Sequence, residues 1–431
     1  MNGMASPILR AINGVLALPF ARFSVDARET EGLIWDPSRG QIVAEALPTL
    51  FTYPPQDALH WDDAGLRSAA REAGAEAETL AAPAIFGGCL IRHFGHFLHE
   101  SLSRLWWLAP VADLEGPAKE AALRLQQLEG DVVFFMPRWL DEGKTLLPYM
   151  EEILGLLHLP ASRIRILQRP LRFRELWIPA CVWGFGSDAR AVDRQLGCDS
   201  RALLRHLLAS SQRPASPAPE PAATPKLYVS RSGLPISLGR LLGDVVLDPL
   251  LEAAGYTVFH PERSSIAEQI RLYGQASDLI FMDGSSLYLL WLAKLRPGTR
   301  VRLILRRQQG RWMSEKVLEL LPGAAHIRWE IIDALQGEAL TSPNDWESHN
   351  VADLAALLRQ LGIEAPAELP KPAEEALAAY SHTLLEQSSP EQLARVLQAL
   401  LTTLATDPQR RPSRRDRLYR KVRGLLAARQ R

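Results

Sequence analysis

Asp278-Leu-Ile-Phe-Met-Asp-Gly-Ser-Ser-Leu287 is the stretch whose reading decides the fold class. Asp278 to Met282 is an apolar run of the kind buried on both faces of a parallel sheet, and Asp283-Gly-Ser-Ser286 reads as a loop. Leu287 to Lys294 has helical spacing, and Arg296-Pro-Gly298 turns the chain into a strand over Arg300 to Leu305. Upstream the alternation continues. Lys226 to Ser230 is a strand, Leu238 to Ala254 a helix ended by Gly255, and Thr257 to His260 a strand. Ser265-Ile-Ala-Glu268 is a capping box that opens a helix to Ala276. Strand and helix alternate as in a Rossmann-like unit, whose ligands sit at the C-terminal ends of the strands. Ser230, Arg231, Asp283, Gly284 and Ser285 fall there.

The first half alternates too. Asp131 to Met136, Arg163 to Leu167 and Phe173 to Ile178 read as strands, with helices over Leu146 to Leu157 and Asp188 to Leu208. Gly32 to Trp35 and Gln41 to Ala44 are strand-like pieces of a mixed segment over 1–80. Pro214 to Pro225 holds five prolines in twelve residues and reads as an extended linker. The expected organisation is therefore a Rossmann-like domain over 81–210, a linker over 211–225 and a second Rossmann-like domain over 226–330. A helical extension over 331–405 and a basic tail over 406–431 follow, with helices expected at Val351–Leu361, Ala373–Leu385 and Glu391–Leu404.

Phe94-Gly-His-Phe-Leu-His-Glu-Ser-Leu-Ser-Arg-Leu105 carries the chemistry. Apolar residues at 94, 97, 98, 102 and 105 predict a buried helix face, and His96 and Glu100, four apart, share one face. A titratable pair in the first turns of a helix after a strand is a way to build a catalytic corner. The plainer alternative is structural, since Arg104 stands four residues after Glu100 in the favourable order for a helix ion pair.

The 49 basic and 49 acidic residues cancel, which argues against a nucleic-acid binder in bulk. Cys89, Cys181 and Cys198 share no short spacing, so neither a zinc pattern nor a disulfide framework is expected, and a cytoplasmic setting fits best. No cluster of carboxylates and histidines has metal-ligand spacing, and no metal or other cofactor is expected. No apolar run is long enough to span a bilayer. Arg410 to Arg431 carries nine Arg and one Lys against one Asp, with Leu418, Val422, Leu425 and Leu426 at helical spacing. Such a segment either lies peripherally on an anionic membrane surface or remains a solvated tail.

Phe94-Gly-His96 with Phe97, Glu100, Arg104 and Leu105 resembles the motif of glycosyltransferase family 61, an Asn-aromatic-x-His-aromatic run followed by an acid and an Arg-Leu pair. Tyr228-Val-Ser-Arg231, Ser265-Ile-Ala-Glu-Gln269 and Ala276 to Leu287 resemble further family segments in the same order. His93 stands where the family usually has Asn, Gly243 near another usual Asn, and Asp283 where it has His before Gly284. The resemblance implies an α/β fold of two Rossmann-like domains facing a cleft, GT-B-like. It implies inverting transfer of a sugar from a nucleotide-sugar donor to a glycan or lipid-linked acceptor in surface polysaccharide synthesis, at the inner face of the membrane. His96, Glu100 or Asp283 would be the base. Ser230, Arg231, Arg240, Glu268, Gly284, Ser285 and Ser286 would hold the donor, with His93 and Arg104 close to the site. The alternatives are a catalytically inactive glycan-binding or scaffold relative, supported by the three departures, and another α/β transferase.

Overall fold

The structure is a computed structural model, and it describes residues 8–25, 28–46, 63–136, 145–183, 192–193, 196, 198–211, 225–235, 238–242, 244–307, 310–340 and 349–366. The expected linker, Gly243, the two helices expected beyond residue 372 and the basic tail lie outside these residues. Contacts divide the chain into two units. Unit 1 is Met1–Val229, Tyr256–Leu303 and Arg311–Glu330, and unit 2 is Ser230–Gly255, Ile304–Gly310 and Ile331–Arg431.

The fold is mixed α/β. The first sheet runs in the order Leu9–Asn13, Glu175–Pro179, Ala84–Cys89, Val132–Phe135, Ile164–Ile166, with all neighbours parallel except the first pair. Ala84–Cys89 and Val132–Phe135 are buried at every position, as central strands of a covered parallel sheet are. The second sheet has the order Thr257–Phe259, Lys226–Val229, Asp278–Met282, Arg300–Ile304, Arg328–Ile332. Its strand starts are fastened by the buried Arg302 guanidinium, which donates to both oxygens of Asp278 at 2.8 and 2.7 Å. Glu152, on the helix Pro148–Leu156, accepts the amides of Ile266 (2.9 Å) and Ala267 (2.6 Å) at the start of the helix Ile266–Gln275. Elements from the two halves of the sequence thus interlock inside unit 1.

A third sheet in unit 1 carries the long hairpin Leu16–Val25 and Arg28–Asp36, flanked by Gln41–Ile42, Leu171–Phe173 and Glu78–Leu80. Unit 2 contains the helix Asp244–Ala253, the helix Leu354–Leu361 and a small sheet ordered Leu241–Leu242, His349–Ala352, Leu335–Leu340.

Several elements differ from the sequence reading. The helix expected over Phe94–Leu105 is one turn, Phe94–His96, that widens into a π-turn over Phe97–Ser101. Hydroxyls compete with the helix there. Ser103 Oγ donates to the Glu100 carbonyl at 2.7 Å, and Ser101 Oγ accepts the Ile91 amide at 3.0 Å. The helix expected over Leu238–Ala254 starts only at Asp244, because Leu241 and Leu242 pair with Asn350 and Val351. Leu287–Lys294 is replaced by a 3₁₀ helix over Ser285–Trp291, and the helix expected over Asp188–Leu208 is described over Ser200–Ser210, capped by Asp199. The helix expected over Val351–Leu361 is Leu354–Leu361, and the residues before it, His349–Ala352, form a strand.

Candidate active site

Two corners meet in unit 1, and each follows a central strand. The first leaves Ala84–Cys89. Gly88 has φ +96°, a region open to glycine, and lies at a register shift against Val132–Phe135. The shifted strand end delivers Leu90 to His93 and then the turn Phe94–His96. Tyr149 fixes the entry by donating its hydroxyl to the Arg92 carbonyl at 2.9 Å, and its ring meets Phe94 and Phe97 edge-on at 5.1 and 5.7 Å.

His93 is the N-cap of this turn. Its Nδ1 accepts the His96 amide at 3.5 Å, and the two imidazoles meet edge-on at 4.8 Å. His96 Nδ1 lies 3.3 Å from Glu100 Oε1, and their side chains are 14% and 3% exposed. Burial pushes the Glu100 carboxyl well above the ordinary 4.5. Its other oxygen, Oε2, has no hydrogen-bond partner among the described residues. A buried carboxylate with one oxygen on an imidazole and the other unengaged is set up to trade a proton.

The second corner leaves Asp278–Met282. Asp283 is fully buried just past the strand, Gly284 is extended, and Ser285 opens the 3₁₀ helix. The corners touch at Gly95, where a Cβ would stand 2.9 Å from Ser285 Oγ and 3.4 Å from Tyr288 Cε2. A side chain here would press on Ser285 Oγ, so glycine lets the loop and the histidine turn approach this closely.

His99 was not singled out in the sequence. It is fully buried, accepts from Trp183 Nε1 at 3.3 Å, and lies edge-on to Tyr288 and Trp291 at 4.0 and 4.7 Å. Burial, then the nearby His96 and Lys316, hold it well below the ordinary 6.5. The sequence signal was a polar residue three positions after His96, but its aromatic partners are distant in the chain.

The remaining candidates sit in other surroundings. Arg104 is buried and donates to the Pro179 carbonyl at 2.7 Å, with its guanidinium 5.4 Å from the Phe86 ring centre, so it braces the first sheet. Glu268 is surface-exposed and pairs with Arg271 at 2.6 Å, while Ser265 Oγ accepts its amide at 3.2 Å. In unit 2, Arg240 holds Asp244 through two bonds of 2.9 and 2.7 Å, and Arg231 donates to the Leu238 carbonyl at 3.2 Å. Ser230 and Ser232 both donate to the Asp248 carboxylate. Among the described residues no group of three or more His, Cys, Asp or Glu could hold a metal ion, and no helix is long and apolar enough to cross a membrane.

The family model described as Glycosyltransferase 61 matches residues 94–302. No curated protein matches the chain. Among solved structures, the dodecameric iron-containing heptosyltransferase TibC in complex with ADP-D-beta-D-heptose aligns at 13% identity over 73% of this chain and 80% of that one, with a TM-score of 0.28. The iron-containing dodecameric glycosyltransferase TibC from enterotoxigenic E. coli H10407 aligns at 11% identity over 68% and 74%, with a TM-score of 0.22. Likeness at this level defines neither fold nor chemistry.

Proposed function

As residues 94–302 make this chain a member of the glycosyltransferase 61 family, and so a glycosyltransferase, we propose that it performs an inverting transfer from a nucleotide-sugar donor to a glycan or lipid-linked acceptor. The observation that carries the reading is the His96–Glu100 pair at 3.3 Å, part-buried where the two corners meet. With Glu100 ionised, it accepts from Nδ1–H, and Nε2 carries the lone pair. The acceptor oxygen attacks the anomeric carbon, its proton goes to Nε2, and the bond to the nucleotide diphosphate breaks. The imidazolium so formed faces the Glu100 charge. Asp283 is the competing base.

Leaving-group charge calls for donors, and we assign the amides of Gly284 to Ser286 to it. On this reading the half bearing the first sheet takes the acceptor and the half bearing the second takes the donor, as in a GT-B-like enzyme. The reaction as written needs no metal. Surface polysaccharide synthesis on a membrane-confined acceptor fits the basic segment Arg410–Arg431 at the cytoplasmic face.

The test is direct. Nucleoside diphosphates should raise the melting temperature of the full chain by mass action. His96→Ala should keep that stabilisation and lose transfer by roughly 100-fold or more. Turnover should survive EDTA. Near-normal turnover in folded His96→Ala removes His96 as the base, and donor binding without any turnover returns the chain to a glycan-binding relative.

A further inference from the structure

The histidine turn and the element after Gly284 meet at a second place, beyond Gly95. Ser285, Tyr288 and Trp291 stand three apart on the 3₁₀ helix Ser285–Trp291, and at three residues per turn they share one face. That face meets Gly95 at one end, through Ser285 Oγ and Tyr288 Cε2. At the other end it meets His99, in the π-turn Phe97–Ser101. The His99 ring lies edge-on to Tyr288 at 4.0 Å and 85°, and to Trp291 at 4.7 Å and 70°. A single contact fixes a distance and leaves two elements free to pivot. A second contact, four residues along the turn, fixes the angle.

Both sides of this second contact are held from behind. Trp183 Nε1 donates to His99 Nδ1 at 3.3 Å. Trp291 Nε1 donates at 2.9 Å to the carbonyl of Val317, on the helix Gly310–Leu320. Lys316 Nζ, on the same helix, lies 5.2 Å from the centre of the Trp183 ring. His99, Trp183, Tyr288 and Trp291 are all buried. A histidine answers both demands of this place. Its ring edge suits the aromatic faces, and its nitrogen satisfies a buried indole N–H that would cost free energy if left alone. Burial holds the imidazole well below the ordinary 6.5, so Nδ1 stays an acceptor.

We propose that His99 is a positioning residue that sets the angle at which the histidine turn meets the Gly284 loop. What the alignment serves rests on the glycosyltransferase reading; the contact rests on the geometry alone. On that reading it aims His96 at the acceptor oxygen while the amides of Gly284 to Ser286 face the leaving group. A displacement of about 1 Å can lower a rate on the order of 100-fold.

Three replacements separate the ring from the acceptor. His99→Asn keeps an acceptor for Trp183 and has no ring. His99→Leu has neither, suits a buried site, and carries the test if His99→Asn does not fold. His99→Phe keeps a ring and has no acceptor. One readout is independent of activity. Ser285 Cβ lies 3.4 Å from where a Cβ at Gly95 would stand, close to the roughly 3.5–4.5 Å of a disulfide. Gly95→Cys with Ser285→Cys in the full chain should therefore link, the two thiols being oxidised as oxidised glutathione is reduced to two thiols. Mass spectrometry of the linked peptides gives the glutathione ratio at half-oxidation. Adding His99→Asn or His99→Leu should shift that ratio against the link by roughly tenfold or more, and His99→Phe should leave it near the parent value.

The other readout is turnover, without the added cysteines. His99→Asn and His99→Leu should lower kcat by roughly tenfold or more, with nucleoside diphosphate affinity unchanged. His99→Phe should keep most of kcat and melt lower, because the Trp183 N–H loses its acceptor. An unmoved glutathione ratio in His99→Asn and His99→Leu overturns the proposal. So does a shifted ratio with normal kcat, or His99→Phe as damaging to both readouts as His99→Leu. A shifted ratio in a chain that transfers no sugar supports the contact and counts against the glycosyltransferase reading.

Discussion

At the scale of the residue, the His96–Glu100 pair has two states that differ by one proton. If Glu100 keeps it, its O–H faces Nδ1 and Nε2 is protonated, so no base is available. If Glu100 is ionised, Nδ1–H points at it and Nε2 is free to accept. Burial favours the first arrangement at low pH by lifting the carboxyl well above 4.5. Activity should therefore rise as pH climbs through this raised titration. Glu100→Gln should lower kcat by about 10- to 100-fold and erase that limb of the profile. Stability runs the opposite way. A carboxyl raised in the folded state contributes fully below 4.5 and loses that contribution as pH climbs through the raised value. Glu100→Gln should accordingly melt higher than the parent at pH 8 and level with it near pH 4. An unchanged pH–rate profile in Glu100→Gln would mean that Glu100 does not share the proton.

At the scale of the element, the site depends on one close approach. Adding a methyl at Gly95 puts it 2.9 Å from Ser285 Oγ. Gly95→Ala should destabilise the fold by about 1–3 kcal/mol, as overpacking does, and lower turnover as the corners part. Ser285→Ala removes the oxygen, so the double variant should be more stable than the single costs add up to. Additive melting-temperature changes would deny the contact.

This contact also marks what the sequence could and could not disclose. Asp278–Met282 is legible because a buried parallel strand is a continuous apolar run, and Lys226–Val229, Thr257–Phe259 and Arg300–Ile304 because they are short β-prone runs between turn signals. The four-residue spacing of His96 and Glu100 is local, and it brings them together as expected. The π-turn was not legible, because hydroxyls at Ser101 and Ser103 decide it against the apolar periodicity. Leu241–Leu242 is a strand only through partners at Asn350 and Val351, and Gly95 meets Ser285 only through the tertiary fold. No window of sequence holds those pairs.

At the scale of the whole molecule, charge is balanced overall and concentrated at one end. Each of the ten basic residues from Arg410 to Arg431 would contribute about 1 kcal/mol near an anionic surface. The full chain should bind vesicles containing phosphatidylglycerol at low salt, release them as salt rises, and lose the affinity when truncated after Asp407. Equal vesicle sedimentation of both forms, or of neither, would leave the segment a solvated tail.

Glu152 reaching across to the amides of Ile266 and Ala267 has a consequence of another kind. Elements packed against each other, Glu152 and the start of Ile266–Gln275 among them, join the two sheets in one unit. Two polypeptides, 1–211 and 225–431, expressed together should find each other and elute as a single species, and Glu152→Ala should loosen that pairing. Elution of two separate peaks would show that the junction itself is needed. If the halves do pair, the histidine turn from one and the Gly284 loop from the other should still meet.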